Sequence, residues 1–194
     1  MLDQLIELDH QLFLYLNNLG IKKFDFFWII MSNKILNFIC YSIILYLIYL
    51  KRGFKTSTFI LISTIFLILL SDQTSNFFKY YFERLRPCHD INFADLIRIP
   101  GNYCGGKYGF FSAHSSNSFA LSTFFGFIFL KSNKYILPLL YLFSFLIAYS
   151  RIYLGVHFPL DIIFGGFFGV LLGWCFYNFC SWFYKKNTNS IIDF

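Results

Sequence analysis

Charged residues are scarce in this chain of 194 residues. Asp, Glu, Lys and Arg make up 13% of it, whereas 57% is hydrophobic, and the mean hydropathy is +0.58. This composition excludes an ordinary soluble globule and predicts an integral membrane protein. The length fits a single domain over residues 1–194.

The sequence also has no stripe of basic residues of the kind that binds nucleic acid. Its net charge is +6, but the cations either flank apolar runs or belong to the polar clusters described below. Cations in such places suit anionic head groups and topology signals. The predicted partners are therefore the bilayer and an anionic lipid, and nucleic acid is excluded.

Signals for cleavage and for metal binding are missing as well. The N-terminus lacks the basic start and apolar run of a cleavable signal peptide, so insertion is expected to depend on internal spans. The five cysteines fit no zinc spacing, and Cys88 with His89 offers too few ligands. No metal and no cofactor is predicted.

Five apolar runs predict membrane crossings at residues 35–50, 57–80, 112–130, 134–151 and 157–183. Several are shorter than the ~20 residues that a span needs, so the helices are expected to extend beyond them. Residues 1–33 resemble an amphipathic helix in the interface, and a sixth crossing with Lys22 and Lys23 near its middle is the costlier alternative. The predicted fold is all-α: a polytopic transmembrane bundle of five to six spans with an interfacial N-terminal segment.

Basic residues orient this bundle. If the five runs alternate, one side carries Lys51, Arg52, Lys55, Lys131, Lys134, Lys185 and Lys186. That side is cytoplasmic by the positive-inside rule, so the 81–111 and 151–157 loops face outward from the inner or plasma membrane. Cys88 and Cys104 fall in this outer region, where an oxidising compartment permits a disulfide; two free thiols are the alternative.

Three polar clusters interrupt the apolar sequence. They consist of Lys79 with Arg86-Pro87, of Ser112-Ala113-His114, and of Ser150-Arg151 with His157 and Asp161. Ionisable groups at membrane depth are costly and usually mark function. All three clusters converge on the predicted extracytoplasmic face, which indicates one site.

His157 and Asp161 are four residues apart and share a face if a helix begins here. The carboxylate then holds one imidazole nitrogen and leaves the other free to attack, as in catalytic triads. Gly165, Gly169 and Gly173 continue the same face and predict close packing against another helix.

The other clusters supply anion binding. Ser112 is predicted to cap the next helix, so that N–H groups near Ala113 and His114 point at an anion. A protonated His114 there donates to a leaving oxygen.

Two guanidinium groups and one ammonium group complete the predicted phosphate site. Arg86 and Arg151 match phosphate oxygens with planar forks, and Lys79 adds a point charge. Lys79 and Arg86 lie two turns apart if one helix runs to Pro87. Mid-span, Asp72 is predicted to pair with a facing polar group.

The clusters resemble the signature of the type 2 phosphatidic acid phosphatase superfamily. That signature reads Lys, six residues, Arg-Pro; Pro-Ser-Gly-His; and Ser-Arg, five residues, His, three residues, Asp. The first and third motifs match in full. In the second, Phe111 stands for Pro and is expected to cost rigidity, and Ala113 stands for Gly but keeps the backbone N–H. The superfamily is similar to vanadium haloperoxidases and glucose-6-phosphatase.

The resemblance implies a metal-independent phosphatase in which protein cations stabilise the transferred phosphoryl group. His157 is the implied nucleophile, forming a phosphohistidine, and Asp161 orients it. His114 protonates the leaving group and then activates water. The implied phosphate ligands are Lys79, Arg86, Ser112, Ala113 and Arg151.

The predicted function is a membrane lipid phosphatase. Its first-choice substrate is undecaprenyl diphosphate, because small outward-facing family members resemble the phosphatases that recycle this carrier lipid. Other substrates are phosphatidylglycerophosphate, phosphatidate and lipid A phosphate. The alternative functions are a lipid phosphotransferase, a vanadate-dependent haloperoxidase, and a lipid transporter or scaffold without enzymatic activity.

Overall fold

The computed structural model describes residues 2–93 and 95–188, which form helices and no β-strand. Residues 1, 94 and 189–194 of the predicted single domain lie outside the described part. The helices are α1 (Leu2–Asn18), α2 (Asp25–Met31), α3 (Lys34–Phe82), α4 (Ala113–Phe129), α5 (Ile136–Tyr153) and α6 (Pro159–Thr188). Short 3-10 turns lie at Lys22–Phe24, Pro87–His89, Ile91–Phe93 and Pro100–Asn102.

Helix α3 consists of two antiparallel arms that meet at Gly53. Its 49 residues would extend about 70 Å as one rod, more than twice the hydrocarbon thickness of a bilayer. Gly53 has φ 76° and ψ 177°, a conformation that only glycine adopts cheaply. Both arms reach the same turn of α4, because Tyr41 donates to the Ser118 carbonyl and Ser71 bonds to Ser116. The chain therefore reverses direction between these contacts.

The bundle confirms the predicted all-α transmembrane fold. Helices α3, α5 and α6 each contain a segment long and apolar enough to cross a membrane. When the two arms of α3 are counted separately, they make five helices together with α4, α5 and α6, and these lie at the five predicted runs. Within residues 2–33 no helix of crossing length passes through Lys22 and Lys23, because a 3-10 turn occupies Lys22–Phe24 and α2 has only seven residues.

Helix α4 is the centre of the bundle and packs against α6, α5 and both arms of α3. Buried hydroxyls join it to its neighbours, as between Ser116 and Ser71 at 2.6 Å. Such interhelical hydrogen bonds are typical of helix packing in lipid. Asn117 donates to Asp72 at 2.8 Å, so the predicted pairing of this intramembrane acid is confirmed.

Three glycines bring α6 against the backbone of α4. A Cβ atom built at Gly169 would lie 2.3 Å from the Ser116 carbonyl oxygen, and one at Gly173 would lie 2.4 Å from that of Ala120. Both distances are far below the 3.5–4.0 Å of ordinary contact. The close packing predicted for this glycine stripe is therefore confirmed, and it places the first turns of α4 and α6 side by side.

Gly169→Ala is expected to force α4 and α6 apart. Overpacking of this kind costs about 1–3 kcal/mol, which will appear as a lower midpoint of thermal unfolding in detergent. Gly106→Ala is the matched control, because a Cβ there meets nothing within 4 Å. Equal midpoints for the two variants would contradict the close approach.

Helix α1 packs on the bundle through both polar and aromatic side chains. Asp9 and Asn17 are buried, whereas Leu8 and Leu12 are exposed. The Asn17 amide donates to backbone carbonyls that include that of Tyr153 at 3.0 Å. A buried aromatic residue packs beside these polar contacts, and charged residues share the exposed face with leucines, so neither face is purely polar or purely apolar.

Candidate active site

The predicted site residues gather at one end of the bundle. Lys79 is in the last turn of α3 and Arg151 in the last turn of α5. His114 and Asp161 lie in the first turns of α4 and α6. The antiparallel helices thus bring together four positions that are far apart in sequence.

His157 and Asp161 form a buried hydrogen-bonded pair. The Nδ1 atom of His157 lies 3.3 Å from Oδ2 of Asp161, and neither side chain is more than 2% exposed. The Phe158 amide donates to the same carboxylate oxygen at 3.0 Å. Since Nδ1 faces the carboxylate, Nε2 carries the lone pair that is available for attack.

Burial lowers the pKa of His157 well below its usual range, and nearby cations lower it further. The largest of their contributions come from Arg86 and Arg151, followed by Lys79 and Arg84. A buried imidazole among cations resists protonation because its charged form is both desolvated and repelled. His157 is therefore neutral at neutral pH, which is the nucleophilic form.

Arg151 offers an unsatisfied donor inside the site. Its side chain is buried, and Nη1 donates to the hydroxyl of Ser32. Its buried Nε has no hydrogen-bond partner in the described residues. An unpaired buried N–H on a charged group is costly, so a phosphoryl oxygen placed here would be bound favourably.

Arg86 reaches the site from a loop. Helix α3 ends at Phe82, and Glu83 adopts a left-handed φ of 47°, so the expectation that one helix carries Lys79 and Arg86 is wrong. The left-handed Glu83 ends the helix, Pro87 keeps Arg86 out of helical backbone, and Leu85 pairs with Tyr108.

The Arg86 guanidinium is held by backbone carbonyls. Its Nε donates to Tyr108 and its Nη1 to Cys104, both at 3.1 Å. Cys104 is disulfide-bonded to Cys88, with 5.8 Å between the Cα atoms. The disulfide thus closes the loop that carries an acceptor of Arg86.

Ser112 caps α4 as predicted. Its hydroxyl accepts from the Ser115 amide at 3.5 Å, and its own amide donates to the Asp161 carbonyl at 3.0 Å. The first-turn amides of Ala113 and His114 have no acceptor within α4. They therefore supply N–H groups at a helix N-terminus, where anions bind.

Phe111 is held by packing at the position where the signature has proline. It is 4% exposed, and its ring lies 5.4 Å from that of Phe78 and 5.1 Å from that of Phe168. Its carbonyl accepts from the Ser75 hydroxyl at 3.0 Å. Aromatic packing therefore restrains the turn that was expected to lose rigidity.

His114 brings a second imidazole to the site. Its electrostatic neighbours include Arg151, His157, Lys34 and Arg86. His114 therefore lies beside His157 at the start of α4, and an imidazole is a side chain that can donate or accept a proton near neutral pH.

The sequence interpretation missed Arg84 and Asp9. Arg84 donates through Nη1 to Oδ1 of Asp161 at 2.8 Å and through Nη2 to Asp9. The only sequence signals were a second arginine beside Arg86 and one acid among several in the N-terminal segment. Neither predicts a contact between residues that are 75 positions apart.

Comparison with known proteins gives a family and several relatives. Residues 58–187 match the model described as the PAP2 superfamily. A lipid A 4'-phosphatase of Porphyromonas gingivalis is 36% identical over 173 residues, which are 89% of this chain and 72% of the relative. One of Bacteroides thetaiotaomicron is 32% identical over 179 residues, 91% and 79% of the two chains. An undecaprenyl-diphosphatase of Sulfolobus acidocaldarius is 32% identical over 124 residues, 63% and 54%.

Two solved structures share the fold. Aquifex aeolicus LpxE superposes with a TM-score of 0.69 at 24% identity, covering 88% of this chain and 95% of that one. A PAP2-type phosphatidylglycerolphosphate phosphatase from Bacillus subtilis gives 0.72 at 18% identity, covering 95% and 88%. At these identities the likeness concerns the helical fold alone.

Proposed function

The chain belongs to the PAP2 superfamily and is an integral membrane lipid phosphatase, and we propose that it hydrolyses the 4'-phosphate monoester of lipid A. Two relatives that align with about nine tenths of this chain are both lipid A 4'-phosphatases. Undecaprenyl diphosphate, the substrate expected from the sequence, has weaker support, because the undecaprenyl-diphosphatase aligns with 63% of this chain.

One observation carries the chemistry. The buried His157–Asp161 pair lies among Arg86, Arg151 and Lys79, and the unpaired Nε of Arg151 is buried within that group. A neutral nucleophile surrounded by cations is the arrangement that transfers a phosphoryl group, whose charge must be stabilised as the bond breaks.

In the first step, Nε2 of His157 attacks phosphorus and the bond to the lipid oxygen breaks. Asp161 stabilises the imidazolium that forms, through Nδ1–H. His114 gives its proton to the departing lipid hydroxyl. The product bound to the protein is a phosphohistidine, with its oxygens held by Lys79, Arg86, Arg151 and the amides at the start of α4.

In the second step, water replaces His157 on phosphorus. His114, now neutral, takes a proton from the attacking water, and the His157–phosphorus bond breaks. Inorganic phosphate leaves and both imidazoles return to their starting forms. If a lipid hydroxyl replaces the water, the same intermediate yields phosphotransfer, so the products distinguish the two reactions.

We propose that the site faces the extracytoplasmic side of the inner or plasma membrane. The seven basic residues of the predicted cytoplasmic side lie beside the Gly53 break, between α4 and α5, and at the end of α6. These positions are at the opposite end of the helices from the site, as the positive-inside rule requires. A disulfide beside the site also suits an oxidising compartment.

Loss of the Cys88–Cys104 disulfide is expected to weaken both stability and phosphate binding. Paired replacement by serine removes a cross-link worth about 3 kcal/mol for a loop of this length. It also loosens the Cys104 carbonyl that accepts from Arg86, so KM will rise more than kcat falls. Thermal unfolding and phosphate-release kinetics measure the two effects. Cys175→Ser, at an exposed free cysteine, is the control, and unchanged midpoint and KM would refute the prediction.

Activity is expected to persist on the acid side of the ordinary histidine range. The pKa of His157 is lowered well below 6.5, first by burial and then by surrounding cations. A lowered pKa moves the acid limb of kcat/KM to lower pH, because only protonation of His157 stops its attack. The substrate's own ionisation at about pH 6 is measured by phosphorus NMR and divided out. An acid limb centred at 6.5 or above contradicts the assignment.

The substrate is tested with purified protein in detergent containing EDTA. Lipid A, undecaprenyl diphosphate, phosphatidylglycerophosphate and phosphatidate are supplied at equal surface concentration, with His157→Ala as the blank. Loss of one phosphate from lipid A, located at the 4' position by mass spectrometry, is the expected result. Preference for undecaprenyl diphosphate would overturn the proposed substrate, and phosphate appearing on a second lipid would indicate a phosphotransferase.

A further inference from the structure

We propose that Asp9 and Arg84 are positioning residues that hold Asp161, and through it His157, in the geometry for attack. Helix α1 is then a part of the active site as well as a helix on the membrane surface. The inference rests on the proposed phosphatase function and deepens it.

The geometry forms a closed loop of hydrogen bonds behind the catalytic pair. Arg84 donates to Oδ1 of Asp161 at 2.8 Å and, through its other terminal nitrogen, to Oδ2 of Asp9. Oδ1 of Asp9 accepts from the Leu160 amide at 2.8 Å. Leu160 directly precedes Asp161, so the loop fixes both the backbone and the carboxylate of this turn.

Each oxygen of Asp161 has a distinct partner as a result. Oδ1 faces Arg84, whereas Oδ2 accepts from the Phe158 amide and faces Nδ1 of His157. With both oxygens held, the carboxylate has no freedom to rotate away from the imidazole. Orientation at this level matters, since a displacement of about 1 Å at a reacting group costs on the order of 10²-fold in rate.

Arg84 differs from the proposed phosphate ligands in its ion pairing. Its two terminal nitrogens are bonded to two carboxylates, whose side chains are 2% and 0% exposed. Arg151, by contrast, has an unpaired Nε buried in the described structure. Arg84 is therefore neutralised by Asp9 and Asp161, and Lys79, Arg86 and Arg151 remain for the anion.

Helix α1 is anchored at this turn by more than Asp9. The rings of His10 and Phe13 lie 4.8 and 5.1 Å from that of Phe158. The Arg84 guanidinium also lies over the Phe158 ring, 4.4 Å from its centre. Apolar packing and the hydrogen-bonded loop thus converge on the residue between His157 and the start of α6.

The test compares Arg84→Gln, Arg84→Lys and Asp9→Asn with wild type. Arg84→Gln is expected to lower kcat about 10²-fold while KM changes little, because no phosphate ligand is lost. Asp9→Asn keeps the shape and gives a smaller fall. Glu7→Gln, on the exposed face of the same helix, is the matched control and leaves kcat unchanged.

The pH profile gives a readout that a merely structural role would not move. Removing the Arg84 cation in Arg84→Gln raises the pKa of His157, so the acid limb of the kcat/KM profile shifts to higher pH. Arg84→Lys keeps the positive charge, so it is expected to restore the position of that limb but only part of kcat. The charged and titratable groups that face His157 are Lys79, Arg84, Arg86, Arg151, His114 and Asp161. The other five remain in place, so the shift reports Arg84 itself.

Three outcomes would overturn the inference. The first is kcat within twofold of wild type in a folded Arg84→Gln protein, and the second is a rise of KM alone, which would make Arg84 a phosphate ligand. The third is additive losses in the Asp9→Asn/Arg84→Gln double variant, since members of one network couple. If Arg84→Gln does not fold, Asp9→Asn alone decides by the same criteria.

A failure of the proposed function is distinguished by histidine NMR. The imidazole of His157, assigned by its loss in His157→Ala, is titrated in detergent with no substrate. If wild type hydrolyses no lipid, the phosphatase proposal fails, yet Arg84→Gln is still expected to raise the His157 titration midpoint. An unchanged midpoint overturns the network whatever the activity.

Discussion

Replacing His157 with alanine is expected to lower phosphate release by at least about 10⁴-fold, because the variant lacks the proposed nucleophile. The proposed phosphate ligands remain in this variant, so lipid binding is expected to persist. His89→Ala is the matched control: this imidazole is exposed and bonds to the Gly105 carbonyl in the loop between α3 and α4. Initial rates in detergent, with the substrate above its KM, measure the effect.

The proposed covalent intermediate gives a second and independent readout. Acid-quenched wild type is expected to lose its protein-bound phosphate, and alkali-quenched wild type to retain it, as the phosphoramidate bond of a phosphohistidine requires. His157→Ala should carry none. Turnover within tenfold of wild type would place the nucleophile elsewhere, and lipid movement that survives in the variant would favour a transporter.

The helical bundle was predictable because membrane crossing imposes a length on apolar runs. The run at 112–130 became Ala113–Phe129, and the run at 157–183 lies within Pro159–Thr188 except at its first residues. The glycine stripe on α6 was also readable, since only a small residue at each turn permits backbone contact with α4.

Local spacing also predicted the parts of the site that lie within one turn of helix. His157 with Asp161, and Ser112 at the start of α4, need no knowledge of the rest of the chain. Arg86 was misplaced because its position depends on a bridge between Leu85 and Tyr108, and pairing across 23 residues leaves no periodic signal.

The Asp9–Arg84 contact was beyond sequence reasoning for a similar physical reason. An amphipathic helix normally buries its apolar face, but α1 turns Asp9 inward and exposes Leu8 and Leu12. Because Phe13 is buried on the same side, hydrophobic periodicity does not single out Asp9 as an inward residue. The partner of a buried carboxylate is then fixed by the tertiary fold, which one sequence does not reveal.

Asp161→Asn is expected to lower kcat by about 10³- to 10⁴-fold with a small change in KM. An asparagine has one oxygen and one NH₂ group where Asp161 has two acceptors. If its oxygen faces His157 and the Phe158 amide, its NH₂ opposes Arg84; if its oxygen faces Arg84, its NH₂ opposes His157 Nδ1. Either orientation loses a partner that fixes the imidazole, and neither stabilises the imidazolium.

Asp72→Asn is the matched control, because it changes a carboxylate on α3 that is bonded to Asn117 and lies outside the catalytic pair. It is expected to retain activity. Rates are measured with equilibrium binding of a non-hydrolysable phosphonate lipid, so that loss of affinity is separated from loss of chemistry. Weak binding with preserved kcat would make Asp161 a binding residue, and unchanged turnover would remove it from the mechanism. A low kcat with intact binding would establish that the carboxylate acts through His157, which is the role proposed for the Asp9–Arg84–Asp161 network.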